Sequence, residues 1–380
     1  MKSFLFRLYL GLLKFALHFV RTRPDEYVIL NGAGRSGSNG YIFYKYLKKN
    51  QPQIKATLVE PWPSSHLPWA TWVKIGRAKY LFTTHQPFKI KKMQVCTSFW
   101  HGIPLKRMGL MAANTDYAAN QKNAQLWRKS ADHVTSSSAL YATLMSACIG
   151  IEGKKYQETG FPRIDALYQP ALSKQEFLKD LFAVADPQAK IGVYMPTFRF
   201  ELADREVMLQ IENGNFFAFS DFDGAKLNAA LASLHHYLII KLHPYEMKMV
   251  QASRHLYSNI YFLDNDYLFK KKIDLYELLG QTDYLITDFS SIYFDYLHLN
   301  KPVFFITNFL TQYEKTRGLL LTPYKKVVPG LTVNSQVELL SALMNLGQDD
   351  FQRARQYWLS LTYTVPRTEN CRRVWQSLQQ

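Results

Sequence analysis

Tyr284-Leu-Ile-Thr-Asp-Phe-Ser-Ser-Ile-Tyr-Phe-Asp-Tyr296 is a short apolar run that breaks into small hydroxyl residues and then resumes with helical spacing. The pattern predicts a buried strand, a tight turn and a helix start. Thr287, Ser290 and Ser291 fall where the first helical N–H groups lack intrahelical partners. Such an end binds phosphate through N–H donors, hydroxyls and the helix dipole. Asp288 in the same turn offers the alternative of a plain helix cap.

Two stretches upstream repeat the design. Lys190-Ile-Gly-Val-Tyr194-Met-Pro196-Thr197-Phe198-Arg199 reads as a buried strand with a proline break and a cation at its exit. Tyr237-Leu-Ile-Ile-Lys241-Leu-His243-Pro244 is apolar until it delivers Lys241 and His243, and Pro244 prevents a helix from running through that point. If these exits meet at one sheet edge, Arg199, Lys241, His243 and the Thr287–Ser291 turn form an anion pocket. Strands at 259–263 and 301–306 and a helix at 273–279 complete a Rossmann-like alternation. Asp264-Asn265-Asp266 and Asp221-Phe222-Asp223 match the spacing of a metal-nucleotide triplet, but two acids in a turn are also ordinary caps.

The first half follows the same grammar. Tyr27–Leu30 is an apolar run that ends in a loop from Asn31 to Gly40, followed by an amphipathic stretch to Lys49. Gly32-x-Gly34-x-x-Gly37 matches the bare spacing of a dinucleotide fingerprint, but the acid available about 20 residues on is Glu60, which fits poorly. A phosphate or acceptor loop carried by Gly34, Arg35 and Ser36 is the preferred expectation. Strands at 54–59, 80–83, 95–99 and 133–136 alternate with helical segments, which argues for a parallel α/β sheet. Pro61–Pro68 interrupts them as a rigid aromatic loop. The strand at 95–99 runs into Trp100-His101-Gly-Ile-Pro-Leu-Lys106-Arg107, so His101 stands where open α/β sheets place their ligands. An imidazole there could take a proton from an attacking hydroxyl, and Lys106 and Arg107 could attract a phosphate. The alternative is a hydrogen-bonded loop histidine beside two solvated cations. Another strand and turn at 156–163 precede a polar helical connection at 173–185, where the domain boundary is expected.

With 380 residues, 47% of them hydrophobic, the chain has material for two packed cores. Lys and Arg outnumber Asp and Glu by 46 to 30, giving a net charge of +16. That balance suits nucleic acid, an anionic membrane surface or phosphorylated substrates. Cys96, Cys148 and Cys371 have neither metal-ligand nor disulfide spacing, so buried thiols in a reducing compartment are expected.

From Ser3 to Arg21, the polar or small residues Ser3, Arg7, Gly11, Lys14, His18 and Arg21 recur every third or fourth position among apolar ones. On a helix they make one narrow polar stripe. Arg7 and Lys14 break the apolar centre that a signal peptide needs and would lie at membrane depth in a spanning helix. A helix lying in the membrane interface is the expectation, with packing on the protein's own core as the alternative. Its cations favour the anionic cytoplasmic leaflet.

His101-Gly-Ile-Pro-Leu-Lys106, Gly160-Phe-Pro-Arg163, Tyr194-Met-Pro-Thr-Phe-Arg199, Lys241-Leu-His-Pro244 and the Leu285–Tyr296 stretch, in this order and spacing, resemble the CDP-glycerol glycerophosphotransferase family of teichoic-acid primases and polymerases. The resemblance runs from Val95 to Gly330. It implies an α/β, GT-B-like architecture of two Rossmann-like domains facing a cleft. With the amphipathic start, the expected divisions are 1–23 as the membrane-associating helix, 24–172 as the acceptor side and 173–380 as the nucleotide-donor side. It further implies a peripheral enzyme on the cytoplasmic face of a bacterial membrane, building teichoic-acid-like or capsule polymer. The donor would be CDP-glycerol or CDP-ribitol, the acceptor prenyl-diphosphate-linked, and nucleic acid no partner.

On this resemblance His101 is the general base and His243 faces the donor diphosphate and the departing CMP, with the reverse assignment open. Arg199 and Lys241 neutralise the diphosphate, and Thr287, Asp288, Ser290 and Ser291 hold it. No metal or other cofactor is required, and a loosely held magnesium on the donor is compatible. The chain departs from the family at Ile103, where Thr is usual, at Met111 in place of an acid, and at Leu319-Leu-Leu321 in place of an acidic aromatic run. The last departure leaves the polyol open. The short length favours a primase-type enzyme. The rivals are a GT-B glycosyltransferase using a UDP- or CMP-sugar and a non-catalytic basic protein binding a membrane surface or nucleic acid.

Overall fold

The computed structural model describes residues 2–62, 67–113, 115–250 and 256–379, and within the first helix the side chains of residues 9 and 11–18. Residues 63–66 of the expected aromatic loop, and the side chains of Ser3 and Arg7 of the polar stripe, lie outside what is described. The chain divides into two compact units, Met1–His101 with Tyr117–Asp165 and Val365–Gln380, and Gly102–Asp116 with Ala166–Thr364.

The first unit holds a parallel sheet of β1 (Arg23–Leu30), β2 (Lys55–Val59), β3 (Ala78–Thr83), β4 (Val95–Ser98), β5 (His133–Ser136) and β6 (Tyr156–Glu158), in the order β2-β1-β3-β4-β5-β6. Helices cover the strands, so β1 and β3 bury continuous apolar runs rather than alternating ones. The register pairs Leu30 with Thr83 and Thr83 with Ser98, which brings the exits of β1, β3 and β4 level at one edge. The helix Asn39–Asn50 starts at Ser38, whose hydroxyl accepts the Tyr41 N–H.

The helix Asn370–Ser377 belongs to this unit and not to the donor side where it was expected. Asp165 explains why: its carboxylate accepts the N–H groups of Asn370 at 2.9 Å and Cys371 at 2.8 Å, which have no intrahelical acceptor. The Trp375 ring then lies 5.7 Å from that of Tyr27. All three cysteines are buried.

The first helix, Lys2–His18, has two apolar faces. Leu13 and Leu17 are buried in a cluster with Val28, Leu30, Trp72 and Ile75, whereas Tyr9, Leu12, Phe15 and, just beyond the helix, Phe19 are exposed. Packing on the protein's own core, the alternative to an interfacial helix, is therefore real but uses only part of the apolar surface. Among the described residues no helix is long and apolar enough to cross a membrane.

The second unit holds β7 (Lys190–Tyr194), β8 (His236–Ile240), β9 (Ile260–Phe262), β10 (Tyr284–Thr287), β11 (Val303–Ile306) and β12 (Leu331–Val333). All pair in parallel, in the order β12-β11-β10-β7-β8-β9. The stretch Tyr284–Thr287 is thus an inner strand, buried at every position. β12 has no counterpart among the expected strands: three residues at a sheet edge carry too little pattern to read.

The centre of this sheet is built around Tyr284, which pairs in register with Gly192. A Cβ on Gly192 would meet the buried Tyr284 ring at 2.2 Å, so only glycine leaves room for it. His236 also packs against this ring, with centroids 5.4 Å apart. Burial lowers the His236 imidazole from 6.5 to about 4.

Gly192→Ala is expected to destabilise the second unit by about 1–3 kcal/mol in urea unfolding, because the buried ring must shift. The unfolded chain protonates His236 near 6.5, while the folded chain stays neutral down to about 4. Its contribution is therefore fully present above pH 6.5 and lost as the pH falls toward 4. Urea midpoints measured across that window should fall with acid in the natural chain and fall less steeply in His236→Phe.

Candidate functional site

The exits of β7, β8 and β10 are held together by buried carboxylates. Asp288, directly after β10, accepts the Thr197 N–H at 2.7 Å and the Thr197 hydroxyl at 3.0 Å. It therefore orders the loop after β7 and does not cap the helix that follows its own turn. Burial pushes its carboxyl up, against the pull of Arg199 and the Thr197 hydrogen bonds. Thr287 is also buried and donates its hydroxyl to the Met195 carbonyl at 2.7 Å. Ser290 and Ser291 are half-buried. The helix after them, Ile292–Tyr296, is short, and the Ser291 side chain makes no cap hydrogen bond.

Arg199 differs from the expected diphosphate clamp. Only 3% exposed, its guanidinium donates to the Tyr194 hydroxyl and, at 3.1 Å, to the Phe216 carbonyl. Its Nη1 lies 3.8 Å from the Glu246 carboxylate. A cation removed from water this completely needs internal counter-charge, and Glu246 and Asp288 supply it. Lys241 is buried as well and donates to the Asn265 side chain at 2.8 Å. Asp264 and Asp223, from the two acidic triplets, cap helices by accepting the N–H groups of Tyr267 and Lys226.

His243 is exposed at the exit of β8. Its ring stacks on Phe198 with centroids 4.0 Å apart and planes 28° from parallel. Nδ1 accepts the Tyr245 N–H at 3.3 Å, which assigns the neutral proton to Nε2. Burial, aided by Lys241 and Lys106, holds its pKa below the usual histidine value. The Lys106 ammonium donates to both Glu201 oxygens at 3.0 Å. Arg107 pairs with the loop at 318–319, its N–H donating to the Gly318 carbonyl at 3.1 Å and its Nε to the Leu319 carbonyl at 3.3 Å. Both cations were expected on the acceptor side, yet the segment Gly102–Asp116 that carries them packs in the second unit. The strand-like pairing of Lys106 with Leu319 is the reason.

In the first unit His101 is exposed beyond the end of β4. Its backbone carbonyl accepts the Tyr141 hydroxyl at 2.9 Å. His85, from the exit of the neighbouring β3, meets it edge to face with centroids 5.1 Å apart. Burial lowers the His85 pKa, which favours the neutral form of this second imidazole. The glycine loop serves its own backbone first. Gly34 and Gly37 take φ of 58° and 81°, where a side chain is strained. A Cβ on Gly32 would sit 2.3 Å from the Trp62 carbonyl. Arg35 does not stand as an open phosphate ligand: it pairs with both oxygens of Glu60 at 2.5 and 2.6 Å and covers the Tyr41 ring at 3.5 Å. Ser36 remains exposed.

Sequence reasoning missed the roles of Glu60, His85, Phe198 and Glu246. A signal existed for Glu246, an acid three residues after a His-Pro helix start. Phe198 and His85 become significant only through the neighbouring strand's register. A cavity of about 580 Å³ in the second unit lies against β11 and β12 near Pro302 and Gly330 and includes none of these strand-exit residues.

Residues 36–376 match the family described as CDP-Glycerol:Poly(glycerophosphate) glycerophosphotransferase. The teichoic acid glycerol-phosphate primase of Bacillus spizizenii is 28% identical over 277 residues, covering 69% of this chain and 64% of that protein. The teichoic acid ribitol-phosphate polymerase TarK of Staphylococcus aureus is 24% identical over 367 residues, covering 90% of this chain and 66% of that protein. The chain thus spans somewhat under two thirds of the length of these two relatives. The solved wall teichoic acid polymerase TagF has the same GT-B-like fold, with a TM-score of 0.75 at 18% identity over 100% of this chain and 96% of that one. With a family match extending from residue 36 to residue 376, this chain belongs to the CDP-glycerol:poly(glycerophosphate) glycerophosphotransferase family.

Proposed function

We propose that this protein transfers glycerol phosphate, or a related polyol phosphate, from a CDP-activated donor to a hydroxyl of a lipid-linked acceptor in teichoic-acid-type polymer synthesis. The observation that carries this reading is the grouping of Lys241, His243 and the Thr287–Ser291 turn on strand exits of one sheet, within a family of this activity. In the reaction an acceptor hydroxyl attacks the β-phosphorus, the new O–P bond forms, and the bond from that phosphorus to the bridging oxygen breaks to release CMP. His101 takes the hydroxyl proton. His243, neutral with its proton on Nε2, donates a hydrogen bond to the diphosphate. Such transfers depend mainly on positioning and charge stabilisation. Lys241 supplies local positive charge, and Ser290 and Ser291 supply hydroxyl donors. Arg199 and Asp288 act from beneath as scaffold, and Arg35, paired with Glu60, does the same for the glycine loop.

The relatives include glycerol- and ribitol-phosphate enzymes, so both polyols fit the reading. Attachment to the cytoplasmic membrane surface is supported by the first helix. Leu13 and Leu17 seat it on the core while Leu12, Phe15 and Phe19 face outward beside Lys14. An exposed apolar arc flanked by cations suits a headgroup interface.

CDP-glycerol, CDP-ribitol and nucleotide sugars, each offered with a prenyl-diphosphate-linked acceptor, test the assignment. Nucleotide release is expected from a CDP-polyol, and His101→Ala or His243→Ala should lower it by about 100-fold or more with the fold intact. Release from a UDP-sugar alone would favour a glycosyltransferase, and near-normal turnover in either variant would remove that histidine from the mechanism.

A further inference from the structure

We propose that Glu246 is a positioning residue for His243, holding the two loops that fix the histidine ring; this rests on the reading that His243 acts on the donor diphosphate. Glu246 has no exposed surface. It is the third residue of the helix Pro244–Met249, for which His243 is the N-cap. This first turn closes on His243, whose backbone carbonyl accepts the Met247 N–H at 2.9 Å. The Glu246 carboxylate accepts the Arg199 N–H at 2.8 Å. One side chain therefore ties the helix that His243 caps to the backbone of the loop after β7.

Phe198 lies between two anchored neighbours. Thr197 is held by Asp288 and Arg199 by Glu246. The Phe198 backbone cannot drift while both anchors persist, and its ring forms the surface on which the His243 imidazole lies flat. With Nδ1 occupied by the Tyr245 N–H, both ring plane and tautomer of His243 are set by contacts that depend on this frame. Removing the carboxylate would also leave the buried Arg199 without its nearest counter-charge.

The full-length protein carrying Glu246→Gln, Glu246→Ala or Phe198→Leu tests the proposal through CMP release at varied CDP-glycerol, with kcat normalised to the folded fraction from unfolding curves. Glu246→Ala should lower kcat by about 100-fold with little change in KM, as expected when a reacting group is misplaced while substrate binding is kept. Glu246→Gln and Phe198→Leu should fall between it and the natural chain. Histidine-selective NMR should show the Nε2–H form of His243 in the natural chain and a mixture of tautomers in the Glu246 variants. A structural role alone would alter stability and leave normalised kcat and the tautomer unchanged. Unchanged kcat in folded Glu246→Gln and Phe198→Leu, with His243→Ala inactive, would overturn the proposal and spare the reading of His243. Turnover by His243→Ala would overturn both.

Discussion

A guanidinium almost wholly removed from water sits beneath the strand exits of the second unit, and the local structure follows from the need to compensate it. Arg199 is balanced by Glu246 and Asp288, and each of these carboxylates also takes a backbone N–H from the loop after β7. The cation and its two acids thereby join the exits of β7, β8 and β10 in one frame. Buried ion pairs are weak sources of net stability, since desolvation offsets much of the attraction. What this one supplies is geometry: Phe198 is pinned, and His243 rests on it.

Much of this frame was legible in the sequence, for physical reasons. Tyr284–Thr287 and Tyr237–Ile240 are continuous apolar runs because inner strands of a covered parallel sheet have no solvent face. The polar residues that break those runs mark the carboxyl edge. What remained illegible was direction. Arg199 and Arg35 read as cations available to phosphate, but each turned inward to an acid remote in sequence, Glu246 and Glu60. Charge type is visible in a sequence, whereas the partner that consumes the charge is a property of the register. The same limit applies to unit boundaries. The helix Asn370–Ser377 joins the first unit through Asp165, and Gly102–Asp116 joins the second through pairing at Leu319.

That pairing bears on the apolar stretch Leu319-Leu-Leu321. Leu319 is buried and bridges Lys106, and the Leu320 N–H donates to the Leu105 carbonyl at 2.8 Å. An apolar residue at 319 is therefore consistent with a packing role for the stretch in this protein. The loop packs Arg107 against Gly318, which has a φ of 76° and where an added Cβ would meet the arginine stem at 3.1 Å. Substitutions here act on the segment that follows His101 and on Lys106, whose charge contributes to the electrostatics of His243.

The central proposal is that the acceptor attacks phosphorus and not the donor's carbon, and the nucleotide left behind distinguishes the two. Attack at the β-phosphorus leaves CMP, while attack at the donor's carbon leaves CDP. Mass analysis of the nucleotide and acceptor after incubation with CDP-glycerol should find CMP together with an acceptor heavier by whole glycerol phosphate units. CDP as the product, or an acceptor that gains glycerol without phosphate, would contradict the account.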